Sequence, residues 1–443
     1  MPTKDAYRSF PNRIKRQRQS FAFRERHDDE QGSGERKQGT LPRQAVLLLA
    51  VQGLFTAAGA LSGAFVNVYL WKVSQNFAVI GWFALSAHFA NVLTFYLAGK
   101  WVKEFNKMNS LRAGVALSAV FYLIVLLLKK QAVHYVVPLG ALQGIAGGLF
   151  WLAFNVVYFE ITEPDNRDKF NGYAGLLGSI TGMIAPWISG FIITRMEDTA
   201  GYRIIFTVSL IIFLIGVATS FFLKKRKAQD AYSWTKAFRN LKDKGDPWRR
   251  AFPALMGQGM REGVFAFVIG LLVYIATQNE MKLGIYSFIT SGVALFSFML
   301  AGKWLKPHRR NLAMLIGTAA MILVILPFFW KVNYATLMFF GIGTSLFIPL
   351  FTIPMTSSVF DIIGRNQDSA DHRVEYVVLR EVGLNAGRII GTILFLIAVS
   401  ISTKPLMLNS LLLLVGSAPM LSWFLMRSWQ ESWAKKQLNE NKN

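Results

Sequence analysis

The chain has 443 residues, 53% of them hydrophobic and only 16% charged, against about 25% charged in an ordinary soluble domain. The net charge of +23 would suggest nucleic acid in a soluble protein, but long apolar runs leave no soluble domain to carry such a site, so no nucleic-acid partner is expected. There is no cysteine, which excludes disulfides, thiol chemistry and cysteine metal sites.

Residues 1–43 hold eleven Lys or Arg and six Asp or Glu. They lack the apolar core of a signal peptide. The stretch 1–42 is read as a disordered basic arm near the inner membrane face, attracted to anionic lipid. Twelve apolar segments follow, each long enough to cross a hydrocarbon core of about 30 Å as a helix. They are 43–71, 77–102, 110–129, 133–160, 169–195 and 203–224, then 251–277, 281–305, 311–330, 334–362, 374–401 and 405–427. Without water to satisfy the backbone, helices are the expected spans. Residues 225–250 are charged, with Trp234, Phe238 and Leu241 at helical spacing. They are expected to form an amphipathic linker lying on the membrane surface. Residues 428–443 are a polar tail.

With an even number of spans, both ends lie on one side. The arm, linker, tail and the loops on that side hold 37 of the 48 Lys and Arg, and the opposite loops hold eight. This bias puts both termini in the cytoplasm of a bacterial inner membrane.

The chain also repeats itself. Aligned without gaps, residues 73–103 and 276–306 share ten identities in 31 positions. Each copy contains Gln-Asn near its start and Leu-Ala-Gly-Lys-Trp near its end. An internal repeat at this spacing makes two halves, 43–224 and 251–427. Two six-span halves of like orientation are parallel repeats, with a site expected near the midplane between them. The fold expected is an all-α membrane protein of twelve transmembrane helices in two pseudo-symmetric bundles.

At this point the chain resembles the major facilitator superfamily of secondary transporters over residues 43–427. Gly99, Lys100, Trp101, Val102, Lys103, Glu104, Phe105, Asn106 and Lys107 stand where that family carries its loop 2–3 motif, G-x-x-x-D-R-x-G-R-R/K. Here Lys103 takes the place of the acid and Glu104 that of the following arginine. The family's acid holds the two bundles closed, so the resemblance implies a charge-reversed latch, Lys103 with Glu160 and, in the second half, Lys306 with Asp361. The alternative is that all four are solvated charges at the membrane interface. Span 4 is similar to the family's antiporter motif R-x-x-Q-G around Gln143 and Gly144, but Gly140 replaces the arginine tied to proton movement. Span 5 is similar to the motif G-x-x-x-G-P-x-x-G-G, through Ala185, Pro186, Ser189 and Gly190. In the family that motif marks exporters, while small residues also simply let helices approach. The loop Glu163-Pro164-Asp165-Asn166-Arg167 resembles a family loop 4–5 pattern.

Charges within the spans are costly and call for partners or water. Arg261 and Glu262 lie well into span 7. Arg380, Glu381 and Arg388 lie in span 11. Glu262 and Glu381 are candidate proton carriers or cation-binding groups, with Arg261 and Arg388 as partners or anion-binding groups; the alternative is static salt bridging of spans 7 and 11. Gln52, Asn67, His88, Asn91, Gln143, Asn155 and Gln258 are candidate cavity-lining polar residues. Phe150, Trp151, Phe154 and Tyr158 form an aromatic stripe that suits packing or a substrate cage. No phosphate-binding loop, metal cluster or hydrolytic triad is apparent, so neither a cofactor nor an enzymatic activity is expected.

The function expected is proton-linked export of a small amphipathic molecule by a monomer, through alternating access. Uptake or facilitated diffusion of a polar solute such as a sugar or organic ion remains open, as does a transporter-like sensor or scaffold.

Overall fold

Twelve long helices make up most of the described part of the computed structural model, which describes residues 41–162, 164–197, 199–224, 231–365 and 372–440. They are α1 (Arg43–Ser74), α2 (Phe77–Glu104), α3 (Lys107–Leu128), α4 (Val136–Ile161), α5 (Pro164–Thr194) and α6 (Ala200–Ser220), then α7 (Trp248–Thr277), α8 (Glu280–Trp304), α9 (Arg310–Leu323), α10 (Tyr334–Ile363), α11 (Arg373–Ile401) and α12 (Pro405–Glu440). No strand occurs among the described residues. By length and composition eleven helical stretches among the described residues could cross a membrane. One of them, Lys107–Tyr158, holds two spans, because α3 and α4 meet at the 3₁₀ turn Lys129–Tyr135. The arm (1–40) and residues 225–230 lie outside the described residues, as does Glu163.

Two helix ends differ from the sequence reading. The last helix was expected to stop at 427 and instead runs to Glu440. The ninth span breaks after Leu323 and finishes as the 3₁₀ turn Leu326–Phe329, where Pro327 supplies no backbone donor.

The repeated Gln-Asn proves to be turn chemistry. Gln75 and Gln278 close α1 and α7 with the same left-handed backbone, φ 50° in each. Asn76 and Asn279 then open α2 and α8 by accepting from Ala78 N and Lys282 N. A side-chain oxygen at that position satisfies a donor the helix start would otherwise orphan. Two residues therefore reverse the chain at matching places in each half.

Helices α1–α6 and α7–α12 form the two bundles, which meet chiefly along α2 against α11 and α5 against α8. Within the second bundle α7 and α11 are in backbone contact. A side chain at Gly263 would come within 2.7 Å of the Arg388 backbone, and one at Gly391 within 2.6 Å of Met260 O. Gly259 and Gly387 are tighter still, facing Leu384 O and Met256 O. Small residues of this kind let spans approach where no hydrophobic force drives them together.

Candidate functional site

That close approach builds the charged cluster. Glu262 projects from α7 at the level of Arg388 on α11, whose Nη2 donates to Glu262 Oε2 at 2.9 Å. Gln258, one turn earlier on α7, donates to Glu262 Oε1 at 2.7 Å. Arg388 also donates to Asn385 Oδ1 at 3.3 Å. Asn385 in turn donates to Asn91 Oδ1 of α2 at 3.0 Å, and Asn91 donates to Gly144 O of α4 at 3.1 Å. A continuous path of polar contacts thus runs from α7 through α11 into the other bundle. The Glu262 and Arg388 side chains are 33% and 25% exposed, so the pair borders open space. Glu381 is bound instead by its neighbour Arg380, whose guanidinium also lies over Phe360.

Arg261 stands apart. It is 5% exposed, and among the described residues it makes no salt bridge and its Nε and Nη2 have no hydrogen-bond partner. Its nearest companion is the ring of Phe265 at 4.6 Å. An arginine at mid-span costs about 2.5–3.5 kcal/mol on insertion scales, and one ring face offsets about 2 kcal/mol when desolvated. Of the two roles expected for Arg261, partner of an acid or anion-binding group, the described residues show no salt bridge for the first.

Of the expected cavity residues, Gln258 belongs to the cluster. Gln52 Oε1 and Asn67 Oδ1 on α1 and His88 Nε2 on α2 are buried without hydrogen-bond partners. Gln143, Asn155 and Trp151 are half-buried on α4. The aromatic stripe is mostly packing: Phe150 is wholly buried and stacks on Phe55 at 3.6 Å, with Trp151 edge-on to it and Phe154 near-parallel at 6.0 Å. A groove of about 540 Å³ lies elsewhere, on the apolar outer side of α2 and α4 between Phe89, Leu93, Leu97 and Ile145. It holds none of the charged cluster.

The ion pairs at the helix ends are not those expected. Lys103 pairs with Glu375 at the start of α11, at 2.6 Å, and the two side chains are 2% and 1% exposed. Glu160 pairs with Lys107. Asp361 pairs with Arg310 at 2.6 Å rather than with Lys306. The corrected bases sit four residues beyond the expected ones, across the break between α2 and α3 or between α8 and α9. Lys107 and Arg310 are themselves 203 residues apart, the spacing of the repeat, and both pairs stay within one bundle. Lys103–Glu375 is different, because it joins α2 to α11 across the bundle boundary.

The linker completes that seal. Ser233 N donates to Glu375 Oε1 at 3.1 Å and Tyr232 N to Glu104 Oε1 at 2.9 Å. The Tyr232 ring lies over Gly99, where a side chain would come within 2.7 Å of its hydroxyl. Burial, and then the charge of Glu375, pushes the Tyr232 phenol well above its ordinary range, so it stays neutral beside that carboxylate. Trp234 and Phe238 pack on Tyr96, with ring centroids at 5.1 and 6.0 Å. These side chains were expected to face lipid; they face the protein's own helix ends, and among the described linker residues before α7 only one turn, Lys236–Arg239, is helical. On the opposite face Glu280 at the start of α8 binds Lys72 of α1 at 3.2 Å and Tyr202 of α6 at 2.8 Å.

The model of the Major Facilitator Superfamily matches residues 47–368. The chain belongs to the major facilitator superfamily. Among relatives, it is 38% identical over 381 residues to the uncharacterized protein YqgE of Bacillus subtilis (strain 168), covering 86% of this chain and 88% of that one. It is 43% identical over 164 residues to an uncharacterized protein in the sodM 3'region of Geobacillus stearothermophilus, covering 37% and 77%. Among solved structures it is similar to the nucleoside transporter NupG, at 16% identity and TM-score 0.62 over 88% of this chain and 99% of that one. It is also similar to a bacterial homologue of the iron transporter ferroportin in its outward-facing state, at 13% identity and TM-score 0.64 over 88% and 99%. The protein is therefore a multi-pass membrane transporter and not an enzyme.

Two superfamily motifs take on a physical meaning here. At position 140, the antiporter-motif arginine has no room, because a side chain would strike Ser86 and the Phe83 carbonyl of α2. The fifth-span motif lies between bundles. Ser189 donates to Leu61 O of α1 at 2.7 Å, and Ala185 is buried. A side chain at Gly190 would come within 2.6 Å of Glu280 O, and Pro186 O lies against Gly284 of α8.

Proposed function

We propose that this transporter is proton-linked and exports a small amphipathic organic molecule by alternating access, with the face carrying the linker and tail turned to the cytoplasm. The observation that carries the proposal is the Glu262–Arg388 pair. It lies at mid-span, is partly open, and connects through Asn385 and Asn91 to the other bundle. Protonating Glu262 removes the charge that holds Arg388. Arg388 is then free to change partners, and the contact it shares with Asn385 changes with it. Proton occupancy is thereby coupled to the packing of one bundle on the other. The predominance of basic residues on the linker face supports the orientation, and the fifth-span motif supports export.

Uptake or facilitated diffusion is the second reading. It is favoured by position 140, which has no space for the arginine linked to proton movement in the family. Nucleosides and iron, named for the solved neighbours, are not carried over at 16% and 13% identity. Among the described residues no group of His, Asp and Glu is placed to hold a metal.

The test is flux in proteoliposomes with an imposed pH gradient, using trapped amphipathic dyes such as carboxyfluorescein and ethidium. Wild type should respond to the gradient, and Glu262→Gln should lose that response. A variant that responds like wild type would remove Glu262 from the coupling.

A further inference from the structure

Arg261 is the charge that proton exchange at Glu262 leaves unexplained. It is the 14th of the 30 residues of α7. It is 5% exposed and forms no salt bridge among the described residues, since the adjacent Glu262 is already bound by Arg388 and Gln258. Its Nε and Nη2 are buried and unpaired. The adjacent Glu262 carboxylate acts on it only through space, without a salt bridge among the described residues, and the other nearby groups are neutral. Tyr286 of α8 lies within electrostatic reach of the guanidinium. Phe265, which covers the guanidinium, packs on Phe340 of α10 at 5.6 Å. One turn beyond Phe340 is Thr344, whose hydroxyl is also buried and unpaired.

An isolated buried cation destabilises the protein that carries it. Here its unpaired donors lie under the Phe265 ring and within electrostatic reach of Tyr286, so an anion would meet them without displacing a salt bridge. Resting on the transport reading above, we propose that Arg261 is the anchor for a carboxylate or phosphate group on the transported molecule, assisted by the hydroxyls of Tyr286 and Thr344. The rest of the molecule then faces the Phe265 and Phe340 rings, so the substrate class is an amphipathic organic anion. Arg388 has a different task, as the resident partner of Glu262.

Thermal unfolding of the purified full chain in detergent, at constant ionic strength, tests this. Benzoate or inorganic phosphate should raise the unfolding temperature in a saturable way, and benzyl alcohol should not. Arg261→Gln should raise the half-saturating concentration about tenfold or more, as expected for a charge-assisted hydrogen bond. Arg261→Lys should retain part of the response. Without added anion, Arg261→Met should unfold at a higher temperature than wild type, because an uncompensated charge has been removed. A lower temperature would make Arg261 a structural residue and overturn the proposal. So would an equal response in Arg261→Gln, or a response only to phosphatidylglycerol and to neither solute, which would mark a lipid headgroup site. Binding is read without a gradient. Absence of an anion response therefore leaves proton-linked transport standing, while a normal gradient response in Glu262→Gln removes that reading alone.

Discussion

Lys103 and Glu375 offer the sharpest perturbation of the transport cycle. Both side chains are almost completely buried, and they join α2 to α11 across the bundle boundary. Removing one partner of such a pair leaves the other charge buried without a counterion, at a cost of about 3–5 kcal/mol. If the conformer with the linker face open relieves that penalty by hydrating the survivor, the balance between conformers moves by roughly a hundredfold to several thousandfold. Glu375→Gln isolates the charge, because its amide oxygen still accepts from Ser233 N. The chain has no cysteine, so a single introduced thiol reports opening without background. Val378→Cys suits this purpose: it lies one turn behind Glu375 and is wholly buried. A membrane-impermeant maleimide added from the linker face should label it slowly in the parent. It should label it much faster with Lys103→Met or Glu375→Gln, and slowly again with both substitutions, since neither charge is then stranded. Equal rates in parent and single variants would refute the latch. So would a double variant as fast as the singles.

The remaining expectations concern packing and the paired helix ends. Gly387→Val should greatly reduce the yield of folded protein or its unfolding temperature, because the added atoms would meet Met256 O of α7 and overpacking costs about 1–3 kcal/mol or more; an unchanged unfolding temperature would show that α7 and α11 can separate freely. Lys107→Met should destabilise the protein more than Arg310→Met, since the lysine is fully buried while the arginine is 17% exposed; equal losses in thermal unfolding would show that burial does not govern these two pairs.

The sequence shows some of these features plainly and conceals others, for physical reasons. Apolar length is a local property, so the spans and the two-fold repeat are legible. Depth within a span is legible too. Glu262 and Arg388 are 126 residues apart yet lie at similar depths in neighbours that run in the same direction, and the structure brings them together. Glu375 left no such trace. It lies in the first turn of α11, where a charge reads as solvated, and its partner is 272 residues away. The Lys107 and Arg310 pairs could have been found, because the repeat maps one base onto the other. They were missed because the chain breaks and reverses between Lys103 and Lys107, so a shift of four residues changes the helix and not merely the turn. The linker aromatics fit a lipid surface equally well by spacing. Only the contacts with Tyr96 and Gly99 distinguish the two placements.

The two faces of the bundle boundary are held by ties of unequal strength. At the linker face, Lys103–Glu375 is almost dry, and the linker backbone adds a further donor. At the opposite face, Glu280 is buried but its partner Lys72 is 36% exposed. Water reaches that ammonium, so Lys72 is hydrated when it leaves, and Tyr202 remains as a second hold on the carboxylate. Lys72 can leave Glu280 without being stranded, whereas Lys103 cannot leave Glu375 without a new source of hydration. From this conformer the opposite face is the easier one to open. Opening the linker face requires the linker to withdraw from Gly99 and Glu375 in the same movement. The repeated Leu-Ala-Gly-Lys-Trp thus ends in different circumstances in its two copies. The first lies beneath a tyrosine lid beside a buried ion pair. In the second, the Cβ position of Gly302 meets nothing within 4 Å and Trp304 is 72% exposed. The duplication supplied two similar helix ends, and the linker covers only the first of them.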